Sequence, residues 1–241
     1  MTGVILSREA IKNGLIDQMV QAAHKDGFMN PVTEAERRDS LRSMLVNHAP
    51  GESVWVFGYG SLMWNPAFHY VEARSGLVHG YHRSYCMWTA GGRGTPGLPG
   101  LMLAMDLGGA CRGMAFRIAP DLVHEELEIV WRREMIGRAY RARWVTVRTG
   151  VGKIRALTFV IDRRYIRYAG KVSRDVQAAH IATAVGRMGT CREYLENTVA
   201  YLDALGIGDG PMHHMLERVR AYDGPAPQGR WEKGRWLATK S

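Results

Sequence analysis

The sequence predicts an α+β protein built on a small mixed β-barrel with packed helices, and three observations carry that expectation. About six short apolar runs lie between Ser53 and Asp162, separated by Gly- and Pro-rich turns, a spacing that suits strands joined mainly as hairpins. Helical periodicity interrupts or flanks these runs at only a few places. The 241 residues, 46% hydrophobic and 23% charged, are enough for one sizeable core and lie in the ordinary globular range.

Residues 1–50 read as a separate helical extension. Thr33 and Glu36 have the spacing of a capping box, and Leu41, Met44 and Leu45 follow on one helical face. Strands are predicted at Ser53–Gly58, Leu77–Trp88, Gly100–Asp106 and Cys111–Ile118, and then as a pair, Arg141–Thr149 and Ile154–Asp162, around Gly150–Val151–Gly152. In the first of that pair Val145 and Val147 alternate with Trp144, Thr146 and Arg148, as a half-buried strand requires. A helix is predicted from about Asp121, its expected N-cap, to Met135. Another begins at Thr190, with a capping box completed by Glu193. It carries Leu195, Thr198, Val199, Leu202 and Leu205 on one face and ends at Gly206. Beyond Tyr222 the composition turns Gly-, Pro- and Lys/Arg-rich, which predicts a loose basic tail over 222–241. The barrel domain is therefore expected over 51–221. No internal repeat is visible.

Composition excludes several classes. The first thirty residues lack a basic stretch followed by an apolar one, and no apolar run approaches membrane-spanning length, so an unexported, cytoplasmic chain with no membrane partner is expected. Cys86, Cys111 and Cys191 are odd in number and form no C-x-x-C pair, which points to buried reduced thiols. The nine histidines include no H-x-x-x-H pair, and His213 and His214 are adjacent, so neither a metal nor another cofactor is expected. The net charge of +9 is concentrated: residues 121–170 hold eleven Lys and Arg against six Asp and Glu, nearly all the basic ones between Arg132 and Arg167. Such a segment is either a solvated arginine face or a surface for an anion or nucleic acid.

Two places offer chemistry. In Val54–Leu62, VWVFGYGSL, an apolar strand runs into Gly58-Tyr59-Gly60-Ser61, where successive N–H groups can point at an anionic or carbonyl oxygen. A dinucleotide fingerprint would need glycine at Met63, a P-loop would need Gly-Lys-Ser/Thr, and a nucleophile elbow fails at Tyr59 and Met63. A plain β-turn remains an equal reading of this segment. The second place is Glu134, which continues the helical stripe of Val123, Leu127 and Val130. An inward carboxylate is desolvated, which raises its pKa towards that of a useful general base, and it sits near a helix C-terminus, where negative charge is disfavoured. The competing reading is a structural ion pair with Arg132, Arg133 or Arg138. Weaker candidates are His180, read as a packed helix residue, and Gly91–Gly100, GGRGTPGLPG, read as either a lid or a surface loop.

Taken in order, four segments resemble the ChaC family of γ-glutamylcyclotransferases. They are FGYGSL at 57–62 followed by Trp64 and Pro66, RGTPGLPG at 93–100, WRREMIGRAYRARWV at 131–145, and EYLENTVAYLDALGI at 193–207. The resemblance spans roughly residues 53–220 and leaves out the extension and the tail. It implies a lyase that closes the γ-glutamyl group of glutathione to 5-oxoproline and releases Cys-Gly, with Glu134 as the catalytic acid/base. Substrate contacts are implied for Phe57, Gly58, Tyr59, Gly60, Ser61 and Leu62, with Arg93 and Tyr194. Segment 93–100 is similar to the family's substrate-covering loop, although Gly97 stands where many relatives carry an acidic residue, so this loop position offers no second carboxylate. The implied partner is a small molecule, glutathione or a related γ-glutamyl peptide, with no nucleic acid and no cofactor. Two alternatives from other classes are a nucleic-acid-binding barrel using the Arg132–Arg167 segment and a hydrolase using Ser61.

Overall fold

The computed structural model describes residues 6–25, 31–232 and 235–238. These fall into two compact units, one formed by Leu6–Arg83 with Met105–Asp162, the other by Ser84–Ala104 with the chain from Arg163 onward.

The barrel's strands are β1 (Val54–Gly58), β2 (Glu72–Thr89), β3 (Gly100–Ile118), β4 (Tyr140–Thr149) and β5 (Gly152–Ile161), closed in the order β1-β3-β2-β4-β5. All of it belongs to the first unit except Ser84–Thr89 of β2 and Gly100–Ala104 of β3. β4 and β5 form a ten-pair antiparallel hairpin from Tyr140↔Ile161 to Thr149↔Gly152. β1 runs antiparallel to β3, and the barrel closes through a parallel β1–β5 contact at Trp55↔Ala156 and Val56↔Leu157. The alternation predicted for β4 is present: Val145 and Val147 are buried while Thr146 and Arg148 are exposed. Inward side chains such as Phe57, Val78, Met105, Ala115, Val147 and Ala156 make one core cluster.

Two strand expectations are corrected. Gly100–Asp106 and Cys111–Ile118 are one strand of 19 residues, because Gly108 (φ 98°) and Gly109 (φ 70°) are absorbed within it instead of ending it. β2 also begins earlier than expected, at Glu72.

Helices α1 (Arg8–Lys12), α2 (Leu15–Lys25) and α3 (Glu34–Leu45) precede the barrel, and α5 (Val123–Glu134) follows β3. Thr33 and Glu36 form the full reciprocal capping box of α3. Asp121 does not cap α5; it lies in a 3₁₀ turn, Pro120–Leu122, that feeds directly into the helix. α3 is held to α5 by the Trp131 indole N–H donating to Ser40 Oγ at 3.3 Å. The N-terminal part of the arginine-rich segment is paired with carboxylates: Arg132 faces Glu34 at 3.9 Å, Arg138 pairs with Glu36 at 2.6 Å and Arg141 with Asp162 at 2.8 Å.

The second unit contains α6 (Arg174–Thr183), the two-residue strands β6 (Val185–Gly186) and β7 (Gly189–Thr190), α7 (Cys191–Ala204) and α8 (Gly210–Arg220). Thr190 caps α7 by accepting from the Glu193 N–H at 2.9 Å, but the Glu193 carboxylate reaches Arg93 at 3.2 Å instead of closing a capping box. Gly206, at φ 64°, follows the helix end. The tail is not uniformly loose: β8 (Gly229–Glu232) and β9 (Arg235–Ala238) form an antiparallel hairpin in which Trp231 meets Trp236 edge-on at 5.7 Å. Residues 233–234 and 239–241 lie outside the described residues.

Candidate active site

β1 ends at Gly58, and Tyr59 and Gly60 lead at once into a single-turn helix, α4 (Ser61–Trp64), with Gly60 as its N-cap. This reversal needs Gly58, because a Cβ there would sit 2.9 Å from Leu62 Cβ and 3.1 Å from the Leu62 carbonyl carbon. The neighbouring strand must also be bare at Gly113, where a Cβ would lie 2.3 Å from the Gly58 oxygen and 2.8 Å from the Phe57 ring. Gly113→Ala is therefore expected to destabilise the protein by about 1–3 kcal/mol, read as a lowered midpoint in urea.

The turn is fixed from below by three buried groups. The Thr158 hydroxyl donates to the Phe57 carbonyl at 2.9 Å, and the Tyr59 hydroxyl donates to the Phe159 carbonyl at 2.8 Å. Arg83, only 8% exposed, donates from Nε to the Tyr59 carbonyl and from Nη2 to the Arg112 carbonyl, both at 2.6 Å. The side chains of Phe57 and Tyr59 thus belong to the barrel core, and what this segment offers at the turn is its backbone. In the first turn of α4 the N–H groups of Ser61 and Leu62 have no acceptor in their own helix.

Glu134 is the last residue of α5, on the stripe whose other members Val123, Leu127 and Val130 are fully buried. Its side chain is 15% exposed, and burial pushes its carboxyl above the usual carboxylate range even though Arg133 pulls the other way. Of the three arginines considered as its neutraliser, Arg133 is the one used: its Nε lies 3.1 Å from Glu134 Oε1. The same guanidinium donates from Nη2 to Ser61 Oγ at 2.8 Å and from Nη1 to the Pro66 carbonyl at 3.2 Å, and it also bonds the Asn65 carbonyl. One fork therefore ties the carboxylate at the end of α5 to the loop after β1.

A second carboxylate on α5 behaves in the opposite way. Glu126 is completely buried, yet the Arg8 guanidinium at 2.7 Å and the His69 N–H at 3.0 Å outweigh the cost of burial and hold its carboxyl below the usual range. Two glutamates of one helix, eight positions apart, are thus driven apart: the Glu126 carboxyl is held low and anchors α1, while the Glu134 carboxyl is held high.

Arg93 and Tyr194 lie in the second unit and are brought together there. The Arg93 guanidinium stands 5.4 Å from the Tyr194 ring centroid and donates to the Thr190 carbonyl at 2.7 Å. Arg93 is 8% and Tyr194 3% exposed. The structure thus brings Gly58–Leu62 and Glu134 together in one unit and Arg93 and Tyr194 together in the other. The sequence reading missed Arg83 and Glu126. Glu126 follows Val123 by three residues and precedes Val130 by four, so the stripe that exposed Glu134 contains it too.

The closed five-stranded barrel with its packed helices is a γ-glutamylcyclotransferase fold. Among solved structures, the crystal structure of the glutathione-specific γ-glutamylcyclotransferase from yeast has the same fold, with a TM-score of 0.65, 21% identity, and 70% of this chain and 96% of that chain covered. The family described as ChaC-like protein matches residues 54–222, and the chain belongs to it. Its relatives include the glutathione-specific γ-glutamylcyclotransferase of Escherichia coli strain K12, 37% identical over 186 residues, or 77% of this chain and 80% of the relative. The mouse glutathione-specific γ-glutamylcyclotransferase 1 is 30% identical over 160 residues, covering 64% and 72%.

Proposed function

We propose that this protein is a glutathione-specific γ-glutamylcyclotransferase in which Glu134 moves the proton. The observation that carries the reading is the part-buried Glu134 carboxyl, raised in pKa and joined through Arg133 to Ser61. The free α-amine of the γ-glutamyl group attacks its own γ-carbonyl, a C–N bond forms to close the five-membered lactam, and the original amide C–N bond breaks. The attacking α-ammonium must lose a proton and the leaving nitrogen must gain one. One carboxylate of raised pKa does both in turn, leaving the enzyme unchanged. Because nucleophile and electrophile belong to one molecule, holding it folded supplies much of the acceleration. The Ser61 and Leu62 N–H groups, together with Gly60 at the N-cap, are suited to a substrate carboxylate or the developing oxyanion. Arg93 and Tyr194 serve as further substrate contacts.

Ser61 has the wrong partner for a nucleophile. Its oxygen accepts from the guanidinium of Arg133, which cannot remove a proton. Ser61→Ala is expected to lower kcat/KM by about tenfold to a hundredfold, the range of one lost hydrogen bond to a charged partner. Fluorophosphonates should not label the serine.

The test of the activity is direct: incubate the purified protein with glutathione and look for 5-oxoproline and Cys-Gly by mass spectrometry. N-acetylated glutathione should be inert, since its amine is blocked. Release of Cys-Gly from it would make water the attacking group and restore a hydrolase. The three cysteines are free thiols, which supports a reducing cytoplasmic setting, and no described helix is long and apolar enough to cross a membrane.

A further inference from the structure

The β8–β9 hairpin lies beyond the residues matched by the family, yet it reaches the Gly/Pro loop that carries Arg93. The first half of that loop is anchored from α7 and the turn before it. The Met188 N–H donates to the Gly92 carbonyl and the Cys191 thiol to the Arg93 carbonyl, both at 2.9 Å. The loop is also tight against itself, since a Cβ on Gly94 would lie 2.2 Å from the Gly100 nitrogen. The outer half, Thr95-Pro96-Gly97-Leu98-Pro99, has an internal Thr95–Leu98 turn, and its two prolines bring carbonyls but no N–H donors. Those two carbonyls are met from outside. The Trp231 indole N–H donates to the Pro96 oxygen at 2.9 Å, and His180 Nδ1 donates to the Pro99 oxygen at 2.7 Å.

The hairpin acts at both points. Trp231 bonds the loop directly. Trp236, 7% exposed, packs edge-on against Trp231 at 5.7 Å and against the fully buried His180 at 6.0 Å, which in turn meets Trp88 at 4.8 Å. Gly229 admits this ring, because a Cβ there would stand 2.8 Å from it. A row Trp231–Trp236–His180–Trp88 therefore runs beneath the loop and touches it at Pro96 and Pro99.

We propose that the β8–β9 hairpin is a brace for the 91–100 loop, with Trp231 and Trp236 as positioning residues that hold it in the conformation from which Arg93 meets the γ-glutamyl substrate. The effect on the substrate rests on the function proposed above; the bracing itself does not. Loss of the brace leaves the outer half of the loop held only by His180 at Pro99, itself no longer packed by Trp236, so the binding-competent fraction falls and the apparent KM rises while the proton-transfer step is untouched.

The experiment uses the full chain. In Trp231→Phe, which keeps the ring and removes the donor, hydrogen–deuterium exchange over 91–100 should quicken by about two- to tenfold, the range for one neutral hydrogen bond, with barrel peptides unchanged. In Trp231→Phe/Trp236→Leu, KM for glutathione should rise about tenfold with kcat within about threefold. Unchanged loop exchange in Trp231→Phe overturns the brace. Faster exchange with an unchanged KM in the double variant overturns its role towards substrate. A double variant whose barrel peptides also exchange faster has lost its fold, and Trp231→Phe then decides through exchange and KM together. A protein that turns over no γ-glutamyl compound refutes the proposed function, while loop exchange still decides the brace.

Discussion

Glu134→Gln is expected to retain the fold and lose turnover by about 10²–10⁴-fold, the usual contribution of a positioned acid/base. The amide fills nearly the same volume and can still accept from Arg133, but it cannot take up the proton of the attacking ammonium. Substrate should still bind. A variant retaining more than about a hundredth of wild-type kcat would remove Glu134 from this role. The stability effect runs the other way. A carboxyl whose folded pKa is raised contributes stability below its unfolded pKa, and that contribution is lost as pH rises through the folded value. At neutral pH the wild-type enzyme carries the cost of a desolvated carboxylate and the glutamine variant does not. The inactive variant should therefore melt at or above the wild-type temperature at pH 7, and a clear drop in Tm would show that the ion pair with Arg133 outweighs burial.

Arg133→Gln is expected to be nearly as damaging, by at least about a hundredfold in kcat/KM, because breaking a buried pair leaves the remaining charge uncompensated. Two losses combine. The loop at Ser61, Asn65 and Pro66 loses its common donor, and Glu134 loses the one neighbour that opposes its desolvation. The carboxyl then moves further up, so the limb on which activity rises with pH should shift towards alkali. Arg133→Lys, which restores the charge without the fork, should recover part of the pH shift and little of the loop order. An unaltered pH profile in Arg133→Gln would show that the two residues are neighbours without electrostatic coupling. Both readouts need only glutathione, a pH series and a measurement of 5-oxoproline.

Legibility in the sequence followed the range of the interactions. Glu134 was visible because a helical stripe is a local pattern, set by neighbours three and four positions away. The strands were visible for the same reason, and the error at Leu107–Ala110 came from reading two glycines as a stop where one continuous strand took them in. Phe57 and Tyr59 show a local rule not carried far enough. They alternate with Gly58 and share one face, and that face is the barrel core, so only their backbone was available to the turn. Arg83 and the full reach of Arg133 were illegible, since a guanidinium bonded to carbonyl and hydroxyl oxygens some 24 to 72 positions away leaves no periodicity behind. The hairpin at 229–238 was hidden by composition: glycine, proline and basic residues suggested looseness, and the two tryptophans that order it were outvoted.

The buried thiols have a chemical consequence for an enzyme of this kind. Cys86, Cys111 and Cys191 are each almost entirely enclosed, and burial pushes the Cys191 thiol up to about 12 while its proton is engaged by the Arg93 carbonyl. Burial thus keeps Cys191 in its thiol form, which does not attack disulfides. On the proposed reaction both substrate and product carry a thiol, and the oxidised form of the substrate is a disulfide. With all three thiols enclosed, the protein is expected to form no mixed disulfide with either, so oxidation of that pool should act on the rate only by changing how much γ-glutamyl substrate is present.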